Sequence, residues 1–181
     1  MVMDELARRA SAGRLPCDRD GRMAAAGQVD QALLAELLSA PWLHAEPPRS
    51  LGREQYGPTF VDALLERAPP RCEAAWCDLL ATAAELTVRA VAAALARRLP
   101  ATHRPAVLVV SGGGVRNPEL MRRLAAALAP LPVLASDALG LPAELKEPIA
   151  FALLAAARIE GIPAGLPEVT GAGRAALLGK V

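Results

Sequence analysis

The sequence predicts a helix-rich α/β fold with a short parallel sheet, on three observations. Hydrophobic residues make up 53% of the chain but aromatic ones only 3%, so the core is built mainly from Ala, Leu and Val, which suits closely packed helices. A valine-rich run, VLVVS, ends in three glycines and is followed by the helical pattern ELMRRLAAALA. A second short apolar run, PVLAS, follows that helix. Strand, glycine turn, helix and strand form one right-handed parallel βαβ unit over residues 107–136.

The size and charge of the chain exclude several classes of function. With 181 residues it has the length of one domain or slightly more. Twenty basic residues against 19 acidic ones give a net charge of +1, so nothing favours a nucleic acid or an anionic membrane as partner. Arg89 and Arg97 interrupt the longest apolar stretch, and Asp4 and Glu5 stand where a secretory signal is positively charged. We therefore expect a cytoplasmic protein.

The cysteines indicate no special chemistry. Cys17, Cys72 and Cys77 are an odd number without C-x-x-C spacing and without an accompanying pair of histidines. We therefore interpret them as buried free thiols rather than as metal ligands or a redox pair.

Helical patterns dominate the start of the chain. An amphipathic pattern is already running at Val2 with no capping residue before it, so we expect the chain to be the later part of a longer protein, with the preceding strands missing. Residues 14–27 have the composition of a polar turn region. Residues 29–38 then show the spacing of a short helix.

Residues 42–58 form the one long irregular segment, which is either a functional loop or a surface connection. His44 lies in it and His103 in a later loop, and both are interpreted as solvated or packing residues. Helices are predicted over 59–66 and 73–99. Because the second is apolar on broad faces, we expect it to pack under a sheet, against a second subunit, or both.

The three glycines mark the candidate functional site. Gly112, Gly113 and Gly114 lack a Cβ, so the backbone can turn sharply and a bulky ligand can approach it. Asn117 is suited as N-cap and Pro118 as first residue of the next helix, whose free N–H groups would point at the glycines. Unsatisfied amides and the positive end of the helix dipole favour an anion such as phosphate there.

Asp137 follows the second strand of the βαβ unit. Ligands of parallel sheets bind beyond the carboxyl ends of the strands, so we expect Asp137 and the glycine turn to converge. Three interpretations of the turn stay open: a dinucleotide fingerprint, a purely structural turn, and a phosphate site of a kinase or ATPase. In the fingerprint G-x-G-x-x-G, Asn117 stands where the third glycine belongs, although Asp137 lies at roughly the distance of the ribose-binding acid.

The last part of the chain predicts one more helix, starting at Pro148 and closed by Gly161. Glu147 lies in its N-cap region, where a carboxylate also stabilises the helix dipole by about 0.3–1 kcal/mol. Residues 171–181 are a candidate final strand. They do not contain the phosphate loop G-x-x-x-x-G-K-[ST].

Five stretches carry a family resemblance: VSGGGVRNPELMRRL, PVLASDALGLPAELKEPIAFALLA, PAGLPEVTGA, PPRSLGREQYG and DGRMAAAGQVDQALLAELL. They look like the C-terminal half of the anhydro-N-acetylmuramic acid kinases, members of the actin-like, sugar-kinase superfamily. The last two stretches are similar to the family's PPKSTGRExFG and D-x-x-G-x-x-A-x-x-G-x-V-D. The match covers nearly all of the chain, in order.

The resemblance implies a partial C-terminal domain of the actin-like ATPase (ribonuclease H-like) fold, on the nucleotide side of a two-domain kinase spanning residues 1–181. It implies an enzyme of peptidoglycan recycling that uses ATP and Mg²⁺. Such an enzyme opens the 1,6-anhydro ring of anhydro-N-acetylmuramic acid with water and phosphorylates O6, which yields N-acetylmuramic acid 6-phosphate. Gly112, Gly113, Gly114 and Asn117 match the family's nucleotide motif GGG-x-x-N.

Two acidic residues match motifs associated with substrate binding. Glu147 resembles the acid of the family's E-A-x-A-F motif, on the sugar side of the cleft, and Asp137 the acid of its D-x-x-G turn. The expected partners are the sugar and ATP, together with a second copy in a homodimer.

The departures from the family pattern are equally informative. The family's first phosphate motif, a Gly-Thr-Ser-x-Asp-Gly hairpin, and the Asp that acts as general base have no match here. We therefore assign no catalytic residue and no metal ligand, and expect the chain to be inactive alone. Arg49 and Leu51 stand where the family has Lys and Thr. The alternative is a non-catalytic nucleotide-binding or dimerisation module.

Overall fold

The computed structural model describes residues 1–46, 52, 54–99 and 105–179, and it is a helix-rich α/β structure. Several of the helices begin with a recognisable sequence signal. The Asp30 side chain accepts hydrogen bonds from free N–H groups in the first turn of its helix. Prolines, which have no N–H group, begin four other helices, at positions 41, 58, 118 and 167. The helices are α1 Val2–Ala10, α2 Arg22–Ala26, α3 Gln31–Leu38, α4 Pro41–His44, α5 Pro58–Arg67, α6 Glu73–Arg98, α7 Pro118–Leu128, α8 Lys146–Ile159 and α9 Pro167–Thr170, and the strands are β1 Leu108–Val110 and β2 Val133–Ala135.

The two strands form the short parallel sheet that the sequence predicts. Leu108 pairs with Val133 and Val110 with Ala135, so the strands point the same way and end level with each other. Helix α7 makes the crossover between them. The residues that follow the two strands are therefore neighbours at one edge of the sheet.

Helix α6 is the centre of the main core. Helices α1, α2 and α3 all pack against it, and Leu6 and Leu80 are fully buried in this cluster. A second, smaller cluster joins α6 to α7 through Val88, Leu120 and Leu124. This second cluster connects the helical part of the chain to the sheet.

The length and composition of α6 would also allow it to cross a membrane, despite Arg89 and Arg97. Nine of its residues, however, are buried within the fold. Core helices of globular proteins pass the same test of length and composition, and α6 is packed as such a helix here.

The prediction of an irregular segment over 42–58 is wrong at its start, because residues 42–44 belong to α4, a helix of a single turn. Pro41 occupies the first position of this turn, where its fixed φ favours a helix. His44 is exposed, as expected of a solvated residue, and it is also hydrogen-bonded: its Nε2 lies 3.0 Å from the Leu38 carbonyl oxygen and its Nδ1 lies 2.9 Å from Arg97 Nη1. Arg49, Leu51 and His103 lie outside the described residues.

Two expectations for the end of the chain are also corrected. Helix α8 begins at Lys146, two residues before Pro148, because the N–H that proline lacks is not used in the first turn of a helix. The candidate strand is not formed in residues 171–179. The N–H groups of Ala164 and Gly165 both donate to the Ala176 carbonyl, without a strand being formed.

The cysteines are free, but only one of the three is buried. Cys17 and Cys72 are exposed: the first lies in a bend and the second occupies the N-cap position of α6. Cys77 lies inside α6, where burial raises the pKa of its thiol and the nearby acidic groups raise it further.

Candidate functional site

The glycine turn connects β1 to α7. Gly112 has φ 84° and ψ −178°, a conformation open only to glycine without strain. A short 3-10 turn, Gly113–Arg116, follows it. A Cβ added at Gly112 or Gly113 would meet no atom within 4 Å. The turn is therefore an open backbone surface next to the carboxyl end of β1.

The first turn of α7 is built as the sequence predicts. Asn117 is the N-cap, its side chain accepting a hydrogen bond from Leu120 N at 2.9 Å, and Pro118 is the first helical residue. In the described part of the chain, the N–H groups of Gly113 and Gly114 donate to no acceptor. Two uncommitted amides beside a helix N-terminus form an arrangement that can bind an anion.

The segment between β2 and α8 closes one side of this turn. Gly112 N donates to the Ala143 carbonyl at 2.9 Å, and Arg116 pairs with Glu144 at 2.5 Å. The 3-10 turn Ser136–Leu139, which contains Asp137, follows β2 directly. Because β1 and β2 end level with each other, Gly112 and Asp137 follow the strands at the same edge of the sheet.

The two predicted acidic residues are exposed. Glu147 lies in the first turn of α8 with 76% of its side chain exposed, and its nearest cation is Lys146 Nζ at 3.8 Å. Asp137 is exposed as well. Among the described residues, no hydrogen bond or ion pair joins either carboxylate to the glycine turn.

The described segments contain no group of three His, Cys, Asp or Glu side chains that could hold a metal ion. We assign no metal ligand among the described residues. The open amides of Gly113 and Gly114, by contrast, fit a phosphate group.

An ion-pair network holds the first turns of α7 in place. Glu119 is buried and pairs with Arg122 and Arg123 at 2.7 Å each. The hydrogen bond from Arg122, followed by the one from Arg123, holds the pKa of the Glu119 carboxyl below its ordinary value against the effect of burial. Arg123 also reaches Glu85 of α6 at 3.3 Å, so the network ties the helix after the glycine turn to the main core.

Sequence reasoning missed one neighbour of this site. The 3-10 turn Arg19–Gly21 packs against the start of α7, with Gly21 beside Asn117 and Glu119. The stretch DGRMAAAGQVD is recognisable as a motif, but its spacing cannot tell which element it touches. The contact joins residues about a hundred positions apart in the chain.

Two open cavities lie away from the glycine turn. The larger, about 380 Å³, is lined by residues such as Gln28, Asp30, Pro70 and Asp78. Its carboxylates already have partners: Asp78 accepts from Gln28 N at 2.6 Å, and Asp30 caps α3. The second, about 270 Å³, lies between α1 and the start of α5. Neither includes a residue assigned to the candidate site.

Comparison with known proteins identifies the family. A family model described as "Anhydro-N-acetylmuramic acid kinase" matches residues 1–181. The chain belongs to the anhydro-N-acetylmuramic acid kinase family. The resemblance inferred from the sequence motifs is thereby confirmed.

Curated relatives named anhydro-N-acetylmuramic acid kinase agree. One from Streptomyces coelicolor is 43% identical over 180 residues, which cover 99% of this chain and 44% of the relative. One from Cyanothece sp. is 43% identical, covering 94% and 44%, and one from Salinibacter ruber is 41% identical, covering 100% and 45%. The chain thus spans less than half the length of these anhydro-N-acetylmuramic acid kinases.

Proposed function

We propose that this chain forms the nucleotide-side part of an ATP-dependent anhydro-N-acetylmuramic acid kinase. The observation that carries the proposal is the glycine turn, where the amides of Gly113 and Gly114 are uncommitted beside the N-terminus of α7. These donors and the helix dipole would hold a phosphate group of ATP. The matching GGG-x-x-N motif and the family membership support the same role.

The reaction would need both nucleotide and sugar in one cleft. Water would add to C1 of the anhydrosugar as the bond from C1 to O6 breaks. O6 would take the γ-phosphoryl group of ATP, leaving ADP and N-acetylmuramic acid 6-phosphate. Glu147 and Asp137 are proposed to bind the sugar side. The base that takes the proton from water is assigned to the part of the relatives that this chain does not match.

The wider setting follows from the same family. We assign residues 1–181 to a partial C-terminal domain of the actin-like ATPase fold, in which the βαβ unit over 107–136 forms the nucleotide-binding side of the cleft. Mg²⁺ would arrive with ATP and neutralise phosphate charge, as kinases generally require. The enzyme is proposed to be cytoplasmic and homodimeric.

A chimera tests the proposal. This chain would replace the matching 44% of the Streptomyces coelicolor relative, and release of ADP would be measured with and without anhydro-N-acetylmuramic acid. We expect sugar-dependent turnover by the chimera and none by the chain alone. A folded chimera that releases no ADP would contradict the proposal.

A pair of substitutions tests whether the glycine turn binds the ATP used in turnover. Gly113→Asp places a negative charge beside the free amides, whereas Gly173→Asp makes the same change in open space of the C-terminal tail. We expect the first to raise the KM for ATP by roughly ten- to a hundredfold through repulsion of phosphate, and the second to leave it unchanged. Equal effects would show that the turn does not bind the nucleotide.

A second candidate is a non-catalytic dimerisation module, which the exposed apolar residues of α8 favour. Phe151 and Leu153 are 71% and 67% exposed, and large exposed apolar patches mark interaction sites. Sedimentation of the chain together with calorimetry in Mg·ATP separates the two candidates. A stable dimer without nucleotide binding would support this second function.

A further inference from the structure

The 3-10 turn Arg19–Gly21 packs against the start of α7, and Gly21 makes the close contact. Gly21 has φ +67°, and a Cβ built on it would lie 2.1 Å from Asn117 Oδ1 and 2.9 Å from Glu119 Cβ. Real Cβ atoms do not approach other atoms so closely, so any side chain at position 21 would displace Asn117. Only glycine allows the turn and the helix cap to occupy their present positions.

The turn reaches this position because its own conformation is fixed. Asp18 is buried and accepts hydrogen bonds from Met23 N at 2.9 Å and Ala24 N at 3.0 Å, which tie it to the start of α2. Asp20 adopts φ 57°, a left-handed conformation that is uncommon outside glycine and is kept where the surrounding structure imposes it. The conformation of the turn is therefore fixed, and the start of α7 packs against it.

A hydrogen bond from α7 to α2 adds a second contact between these parts of the chain. Arg123 of α7 donates to the Ala24 carbonyl of α2 at 3.4 Å while it pairs with Glu119 at 2.7 Å. The start of α7 thus meets the unit formed by the turn and α2 at two points. Movement of one partner at the Gly21 contact would change the position of the cap.

We propose that Gly21 is a positioning residue of the candidate nucleotide site. By leaving room for Asn117, it sets where the cap of α7 stands and hence where the preceding amides of Gly113 and Gly114 point. Gly21 does not touch the ligand in this assignment and acts only through Asn117. The role in nucleotide binding rests on the function proposed above, whereas the coupling between Gly21 and Asn117 does not.

The first test uses the chain itself and measures hydrogen exchange at the Leu120 amide, which Asn117 caps. Gly21→Ala is compared with Gly13→Ala, because Gly13 also has positive φ, +84°, but has no atom within 4 Å of a built Cβ. Both variants carry backbone strain, and only the first meets Asn117. We expect Leu120 to exchange about fivefold faster in Gly21→Ala than in Gly13→Ala, as loss of a cap predicts. Equal exchange in the two variants would overturn the proposal.

A double-mutant cycle covers the case in which Gly21→Ala weakens the whole fold. Asn117→Ala removes the atoms nearest to the added methyl group, so Gly21→Ala is expected to shift the urea midpoint less in that background than in the wild type. Gly13→Ala is expected to shift it equally in both backgrounds. Strictly additive effects of Gly21→Ala and Asn117→Ala would overturn the coupling.

The second test uses the chimera and separates the substrates. We expect Gly21→Ala to raise the KM for ATP about tenfold or more, since small misplacements cost such factors, with the KM for the sugar changed less than twofold. Equal changes in both KM values would reject a role specific to the nucleotide side. An inactive wild-type chimera would count against the proposed function, while the exchange test and the cycle would still decide the coupling.

Discussion

The helical part of the chain, up to residue 99, and the part from residue 105 onward bury their apolar residues very differently. Of the twenty buried apolar residues in the described segments, seventeen lie in the first part. Of the fifteen large apolar residues that are exposed, thirteen lie in the second. The first part thus has its own core, whereas the second buries few apolar residues and exposes many large ones.

Two helices of similar composition show what this difference teaches. Both α6 and α8 are rich in Ala and Leu, yet α6 has nine buried residues and α8 has none. An apolar pattern predicts which side chains can be buried, but they become buried only where a neighbouring element packs over them. Helices α1, α2 and α3 pack over α6, whereas no described element buries a residue of α8.

The largest expected effect is in hydrogen exchange. Amides at the centre of α6, around Leu80, should open only with global unfolding, whereas those of α8 should open locally. We expect exchange in the middle of α8 to be at least about a thousandfold faster than in the middle of α6. Equal protection of the two helices would show that α8 is covered in solution, for example by a second copy.

A matched pair of leucines tests the same contrast by mutation. Leu80 is fully buried and Leu153 is 67% exposed. Leu80→Ala should lower the free energy of unfolding by about 2–5 kcal/mol, since it leaves a cavity, and Leu153→Ala by less than about 0.5 kcal/mol. Urea denaturation measures both. A large loss for Leu153→Ala would mean that α8 packs against something in solution.

The connection between the two parts is expected to depend on pH through Glu119. Because its pKa is lowered in the folded state, the stabilisation is complete above the ordinary glutamate pKa, about 4.3, and is lost as the pH falls through the folded pKa. Glu119→Gln should cost about 1–3 kcal/mol at pH 7, because it removes the charge from a buried pair. The difference from wild type should shrink below about pH 4.

Urea titrations at several pH values measure this effect, with Glu168→Gln as control because Glu168 is exposed. The control should stay within about 0.5 kcal/mol of wild type at every pH. A Glu119→Gln difference that stayed constant down to about pH 2 would show that the carboxylate charge is not what stabilises α7.

The smallest effect separates two buried serines. Ser11 in the helical part accepts from Leu15 N at 2.9 Å and donates to the Arg8 carbonyl at 3.3 Å. Ser136, at the end of β2, is buried with a hydroxyl that has no partner among the described residues. Ser11→Ala should cost about 1 kcal/mol, and Ser136→Ala should be neutral or stabilising. A loss of similar size at Ser136 would reveal a partner for its hydroxyl in solution.

The sequence by itself determined the local features of the site. The glycines at 112–114, the cap at Asn117 and Pro118 act within a few residues of one another, so their geometry follows from backbone sterics and hydrogen bonds between neighbours. The parallel strands could also be predicted, because two short apolar runs joined by a helical crossover form a βαβ unit. The family motifs could also be recognised from the order of the residues alone.

Only the tertiary structure decided which distant elements meet. That Gly21 stands against Asn117, that Arg123 joins α7 to α2 and α6, and that α8 lacks cover all depend on packing between segments far apart in sequence. Periodicity and spacing describe one segment at a time and carry no information on its partner. The glycine turn was therefore predictable, whereas the support that holds it in place was not.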